Sequence, residues 1–450
     1  MVNGWKKWRG KGITIMAAMG LLMSACSGGT EEPPAAAGTP SPGASTPPAK
    51  AAADVKGEVY WQYLNSSWSE QALNKMVADF NKTYPNVKVR FKVGALEPMI
   101  ASGDIPNVAT NSRLEVGWIL DGMFEDLNAY IKKDPDWKAE SFNKVVYEMP
   151  QYEKGQYGIP MYLNPTYAMI YNNKILNQYG EKVPDLKGLK DSDEFYKKFW
   201  VMKNGELEMM GENPLFYYGN LSGLFYVSYL NGADPKTFWD PDTKKVNFND
   251  PKIVEALDWM VRFNKETAVP DAVAKLKASL PKNTHPFVAE KQAMAVVTSG
   301  DLANFRKAKP DLDLTVMPAQ QASLWNGGAN LAIVTQGKDK EAAWAWIKWL
   351  TSTEEGATSM YQNLGQITAK MDSKFIKDKA AADKDFKVFM DIANKATKYI
   401  PQFPVAYDTE YKKLFPDMMA GKITPKEMLD HVNKDLQTKI DEFYKTKAKK

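Results

Sequence analysis

Cysteine and histidine are almost missing from this chain: Cys26 is the only cysteine in 450 residues, and His285 and His431 are the only histidines. One cysteine excludes an intrachain disulfide, so stability has to come from buried apolar surface. Two histidines remove most routes to a zinc site or a Ser-His triad. Long hydrophobic runs are missing as well, since the apolar stretch at 13–22 is too short to span a bilayer. There is no Gly-x4-Gly-Lys-Ser/Thr loop, so nothing points to ATP hydrolysis by this chain. Gly219-Asn220-Leu221-Ser222-Gly223 is not a Gly-x-Ser-x-Gly elbow, because its serine is displaced by one position. Asp240-Pro241-Asp242-Thr243-Lys244 fails the calcium-loop pattern at Lys244. Internal repeats and heptad series are absent, and no cofactor motif is present.

An excess of one charge is missing too. The formal net charge is +4, but Lys6, Lys7, Arg9 and Lys11 lie in a stretch with no acidic residue, and the rest carries 54 basic against 54 acidic residues. A neutral body gives no support for a nucleic-acid partner. The basic run at 445–450 reads as a solvated helix end.

The four basic residues, the apolar stretch at 13–22 and the small residues before Cys26 have the layout of a secretory signal. Met23-Ser24-Ala25-Cys26 resembles a bacterial lipobox, in which the cysteine thiol is acylated and becomes the first residue of the mature chain. The expectation is a signal peptide at 1–25 and a lipidated Cys26. Stable tethering needs more than one acyl chain. Residues 27–56 are mostly Gly, Thr, Pro, Ala and Ser, cannot bury a core, and read as a flexible linker.

The folded part is expected from Gly57. A β-rich run at 58–64, a capping-box start at Ser67-Trp68-Ser69-Glu70, helical spacing of Leu73, Met76, Val77 and Phe80, and a second β-rich run at 87–93 make a strand-helix-strand unit. Further strands are expected at 107–110, 167–171, 293–298 and 312–316, and helices at 250–264, 340–352 and 425–445. With 44% hydrophobic and 12% aromatic residues the chain can bury a core in two lobes, and the class is α/β with extra helices.

Several segments in order resemble the extracellular solute-binding proteins of bacterial ABC importers, in the large carbohydrate-binding group that includes maltose-binding protein. They are Phe80-Asn81-Lys82-Thr83-Tyr84-Pro85, Ile100-Ala101-Ser102-Gly103-Asp104-Ile105-Pro106, and Gly155-Gln156-Tyr157-Gly158-Ile159-Pro160 followed by Met169-Ile170-Tyr171-Asn172-Asn173-Lys174. Phe287-Val288-Ala289-Glu290-Lys291-Gln292-Ala293-Met294 and Ala420-Gly421-Lys422-Ile423-Thr424-Pro425 follow. The resemblance implies a two-lobe periplasmic-binding-protein-like fold with three interlobe crossovers, near Leu163, Val297 and Val334, and a ligand cleft between lobes. It assigns 57–163 plus 298–333 to the first lobe and 164–297 plus 334–450 to the second. It also implies a monomer at the outer face of a bacterial cell membrane that delivers its solute to permease subunits. Leu302 stands where this family often carries tryptophan, so a stacking platform has to come from elsewhere.

Sugars require aromatic faces for their C–H surfaces and amides or carboxylates for their hydroxyl rims. Asn65 and Trp68 offer these after the first strand; the alternative for this segment is that Tyr63 belongs to the strand core and Ser67 caps the helix. By resemblance Thr110, Asn111, Tyr162 and Asn164 face the cleft from the first lobe, and Asn220 and Ser222 from the second. Asp301 offers a charged acceptor, Trp325 and Asn326 precede the last crossover, and Tyr407 reaches in from the C-terminal region. Trp344, Trp346 and Trp349 share a helix that is apolar nearly all round and read as core.

The reading is a carbohydrate receptor and not an enzyme. A receptor for a peptide or another polar solute is the alternative within the family. A surface polysaccharide hydrolase or lyase is the alternative of another class, but a glycosidase needs two cleft carboxylates and only Asp301 is in view.

Overall fold

The structure, a computed structural model, describes residues 52–111, 116–163, 168–215, 221–318, 323–324 and 328–447. Two sheets are built from β1 (Gly57–Tyr63), β2 (Val87–Val93), β3 (Val108–Asn111), β4 (Ile159–Leu163), β5 (Ala168–Asn172), β6 (Met294–Val297), β7 (Leu314–Pro318), β8 (Ala329–Ile333) and β9 (Ile367–Thr368). The larger has the order β9-β4-β8-β3-β1-β2 and the smaller β6-β5-β7.

β1 pairs in parallel with β2, Trp61 opposite Phe91, and the crossover between them is helix α1 (Glu70–Thr83), so the strand-helix-strand unit forms as its spacing predicts. The cap of α1 falls later than expected. Ser69, not Ser67, accepts from Ala72 N–H, because Ser67 is taken up by a turn with Asn65. The supposed linker also ends sooner. Val55 is buried against the larger sheet, and Asn86 donates to the Ala53 carbonyl at 2.8 Å, so 52–56 belong to the folded body.

Other helices used below are α2 (Leu221–Leu230), α3 (Pro251–Glu266), α4 (Ser299–Ala308), α5 (Lys340–Ser352), α6 (Glu354–Leu364), α7 (Lys384–Lys395) and α8 (Pro425–Lys447). Trp346 and Trp349 of α5 are fully buried, with the Trp346 ring 5.5 Å from Trp61 and 4.9 Å from Phe80. Trp344 sits at the margin, 5.1 Å from Trp137. The core of the smaller-sheet lobe is formed by α2, α3 and α8, including Phe225, Phe263 and Leu436.

The chain returns between lobes later than the expected boundaries. β7 pairs antiparallel with β5 from Leu314↔Asn172 to Pro318↔Ala168, so 298–318 completes the smaller sheet and not the first lobe. α5 and α6 cover the larger sheet, because their tryptophans and Met360 bury against β1 and α1, so this part of 334–450 belongs to the first lobe. The crossings therefore run from Leu163 to Ala168, from Pro318 to Ala329, and from Thr368 to Ile400. α7 lies on the last: Phe389 and Ile392 pack with the smaller sheet and Ala393 with the larger.

Candidate functional site

β1, β3 and β4 run in one sense, since β1 is parallel to β3 and β8 is antiparallel to both β3 and β4. Their carboxyl ends share one edge of the sheet with the amino end of β8, the place where open α/β sheets hold ligands. Tyr63, Asn111 and Tyr162 stand at these ends, and Asn330 is the second residue of β8.

The turn after β1 is set by Asn65, whose side-chain oxygen accepts from Ser67 N–H at 3.0 Å and from the Ser67 hydroxyl at 2.6 Å. Trp68 N–H donates to the Asn65 carbonyl at 3.2 Å, which lays the indole against Tyr63 with centroids 5.6 Å apart and planes at 15°. Tyr162 meets Trp68 edge-on at 6.2 Å, and burial raises the Tyr162 phenol pKa, so it stays protonated at neutral pH. Thr110 points into the core instead: its hydroxyl accepts from Trp61 Nε1 at 2.6 Å, and its N–H donates to Gln62 Oε1 at 3.1 Å.

Three polar atoms at this edge have no partner. Trp68 is 7% exposed, Asn111 5% and Asn330 2%, and Trp68 Nε1, Asn111 Nδ2 and Asn330 Oδ1 are buried without a hydrogen bond. Buried polar groups are paired in the large majority of cases, so three orphans at the ends of adjoining strands call for a cause. None of these residues carries a charge.

The other nominated residues lie apart from this group. Asp301 caps α4, its Oδ2 accepting from Thr298 N–H at 2.9 Å and from the Thr298 hydroxyl at 2.8 Å. Leu302 is buried beside the smaller sheet. Tyr407 packs on Phe403 at 4.8 Å and on Phe225 at 6.0 Å, at the margin of the smaller-sheet lobe's core. Ser222 is the second residue of α2, and Tyr226 on the same helix is buried. Asn164, Asn220, Trp325, Asn326 and Cys26 lie outside the described residues.

Both lobes line a cavity of about 210 Å³ that includes Tyr152, Trp239, Tyr399, Gln402 and Tyr444, and Gln402 Nε2 is buried there without a partner. A second cavity, of about 680 Å³, lies between Thr298-Ser299-Gly300 of the smaller-sheet lobe and Tyr361 and Gln366 of the other. Among the described residues no cluster of His, Cys, Asp and Glu fits a metal ion, and no helix is long and apolar enough to cross a membrane. His285 is structural: burial lowers its pKa to about 4, its Nδ1 accepts from Phe287 N–H at 3.2 Å, and its ring lies 4.6 Å from Phe305.

Sequence reasoning missed Asn330 and Gln402. The signal for both was a single amide inside an apolar run, Ala329-Asn330-Leu331-Ala332-Ile333 and Ile400-Pro401-Gln402-Phe403-Pro404.

Residues 66–357 match the family model of bacterial extracellular solute-binding proteins. A maltotriose-binding protein of Pyrococcus abyssi is 21% identical over 310 residues, which span 66% of this chain and 63% of that protein. An ABC substrate-binding protein from Listeria monocytogenes, solved in complex with cycloalternan, superposes with a TM-score of 0.67 at 21% identity, over 86% of this chain and 99% of that one. A cyclic alpha-maltosyl-1,6-maltose binding protein from Arthrobacter globiformis gives a TM-score of 0.62 at 15% identity, over 86% and 99%. These likenesses establish the two-lobe α/β fold of periplasmic-type binding proteins.

Proposed function

Because the chain belongs to the family of bacterial extracellular solute-binding proteins, we propose that it captures an oligosaccharide between its lobes and delivers it to an ABC permease. The observation that carries this reading is the sheet edge, where the rings of Tyr63, Trp68 and Tyr162 contact one another and Asn111 ends a strand of the same edge, none of the four being charged. A pyranose has apolar C–H faces that suit such rings and a hydroxyl rim that suits amides. The three named relatives agree in kind, since their names or titles give maltotriose, cycloalternan and cyclic maltosyl-maltose.

In this reading Asn65, Trp68, Asn111, Tyr162 and Asn164 serve one side of the cleft, and Asn220, Ser222, Asp301 and Tyr407 the other, with Trp325 and Asn326 at a crossing. Thr110 supports this edge from behind by holding Trp61. The lobes close by hinge motion, as binding proteins of this type do. Acylated Cys26 tethers the protein to the outer face of the membrane, with the Pro- and Ala-rich segment as a spacer. Binding without hydrolysis is favoured because a glycosidase needs two cleft carboxylates and Asp301 is the one nominated.

Calorimetry against maltose, maltotriose, mannobiose, mannotriose, charged sugars and short peptides tests the reading. One neutral oligosaccharide is expected to bind, and at about 100 times its Kd to add roughly 2.7 kcal/mol of stability. Silence across all the sugars, in heat and in thermal midpoint, would sink it. Cys26→Ser is expected to release the protein into the medium.

A further inference from the structure

The unpartnered amides at the sheet edge are cross-strand neighbours. Asn111 ends β3, Asn330 lies in β8, and the antiparallel register sets one directly opposite the other. Residues so paired project to the same face with their Cβ atoms about 5 Å apart. Asn111 Nδ2 is a donor and Asn330 Oδ1 an acceptor, yet both are buried and bonded to nothing, although each is the natural partner of the other. We infer that Asn111 and Asn330 form a clamp for one hydroxyl of the bound solute, which accepts from Asn111 Nδ2 and donates to Asn330 Oδ1.

The chemistry selects the occupant. A hydroxyl both accepts and donates, whereas a carboxylate only accepts and an ammonium only donates. Either ion would satisfy one amide and leave the other orphaned. The third orphan, Trp68 Nε1, is a further donor at the same edge, and its indole face belongs to the ring stack with Tyr63. A hydroxyl on a neutral ring satisfies both amides. The clamp rests on the oligosaccharide reading and deepens it: it selects neutral polyols over charged solutes and makes Asn330 a specificity-determining residue.

The test pairs ligand analogues with amide variants. The tightest binder among maltose, maltotriose, mannobiose and mannotriose is titrated together with its monodeoxy derivatives, into the parent protein and into Asn330→Leu and Asn111→Leu. In the parent, one deoxy derivative is expected to bind roughly 5- to 100-fold more weakly than the intact sugar, the range for a lost buried hydrogen bond. In either leucine variant the gap between that derivative and the intact sugar is expected to narrow, and in the double variant to vanish, because both groups that read the hydroxyl are then gone. The double variant is expected to keep the parent's thermal midpoint or exceed it while losing affinity. If every deoxy derivative loses the same factor in parent and variants, a bridging water alone fills the gap and the clamp is overturned. A double variant that loses stability and keeps its affinity overturns it as well, since the amides then serve the fold. Absence of binding by all four sugars overturns the oligosaccharide reading and the clamp with it, whereas binding without coupling overturns the clamp alone.

Discussion

Glu212 is a carboxyl sealed in the smaller-sheet lobe, where one backbone donor, Val296 N–H at 3.3 Å, reaches its Oε2. Desolvation pushes its pKa up to about 8, against the weaker opposing pull of that hydrogen bond. Tyr171 and Tyr196, which share its surroundings, have phenols raised by the same burial and stay neutral throughout this range. The folded state therefore holds a proton that the unfolded state releases from pH ~4.5 upward, so Glu212 costs stability as pH rises, tenfold in the equilibrium constant per pH unit, until the folded pKa is passed. Glu212→Gln keeps the shape and an acceptor for Val296 N–H but cannot ionise. Denaturant titrations at a series of pH values should show the variant gaining on the parent steadily between about pH 5 and 8. A difference independent of pH would mean that Glu212 is charged in the folded protein. His285 acts in the opposite sense between about 4 and 6.5, but it is common to both proteins and cancels.

Helices α5 and α6 meet through backbone. A Cβ on Gly356 would lie 1.9 Å from the Trp349 carbonyl oxygen, and Thr353 stitches the junction by donating to that oxygen at 2.7 Å while accepting from Gly356 N–H at 3.0 Å. Gly356→Ala must push α6 away from the tryptophans that fill the core under β1. It is expected to cost at least about 2 kcal/mol, read as a fall in thermal midpoint of roughly 2 °C or more. An unchanged midpoint would mean that the junction gives way freely. The same helix marks the reach of sequence reasoning at this scale. The run Ala342-Ala343-Trp344-Ala345-Trp346-Ile347 shows that α5 is buried, and its bounds at 340–352 were legible because length and periodicity are local. The sheet it is buried against is not legible, since an apolar helix fits any core, and the expectation that all of 334–450 lies in the second lobe fails at α5 and α6 for that reason. Strands β2, β3 and β5 fell within a residue or so of their expected bounds for the same local reason. The site divides similarly. Trp68 could be nominated from its position after a strand, and Asn111 and Tyr162 from the resemblance, but the placing of Asn330 opposite Asn111 arises from cross-strand register, which no local pattern records.

At the scale of the whole molecule, the last turn of α8 leaves its own lobe and reaches the other. Lys447 pairs with Asp121, and the Phe443 ring lies 3.5 Å from where a Cβ on Gly117 would stand, both partners beside the helix Val116–Leu120 of the larger-sheet lobe. Tyr444 lines the interlobe cavity together with Tyr152. Any rotation of the lobes has to preserve these contacts or break them, so the helix end enters the balance between arrangements. A partly exposed ion pair contributes little, about 0.2–1 kcal/mol, and a like-charge pair costs a similar amount, so reversing one charge should move that balance by no more than about 30-fold. Asp121→Lys and Lys447→Asp are each expected to speed amide exchange in the last turn of α8. Each should also shift the solute Kd in the same direction, with every residue of the sheet-edge wall untouched. The charge-swapped double variant is expected to restore both readings. If it restores neither, Phe443 alone secures the helix end, and the pair is a surface contact with no part in closure.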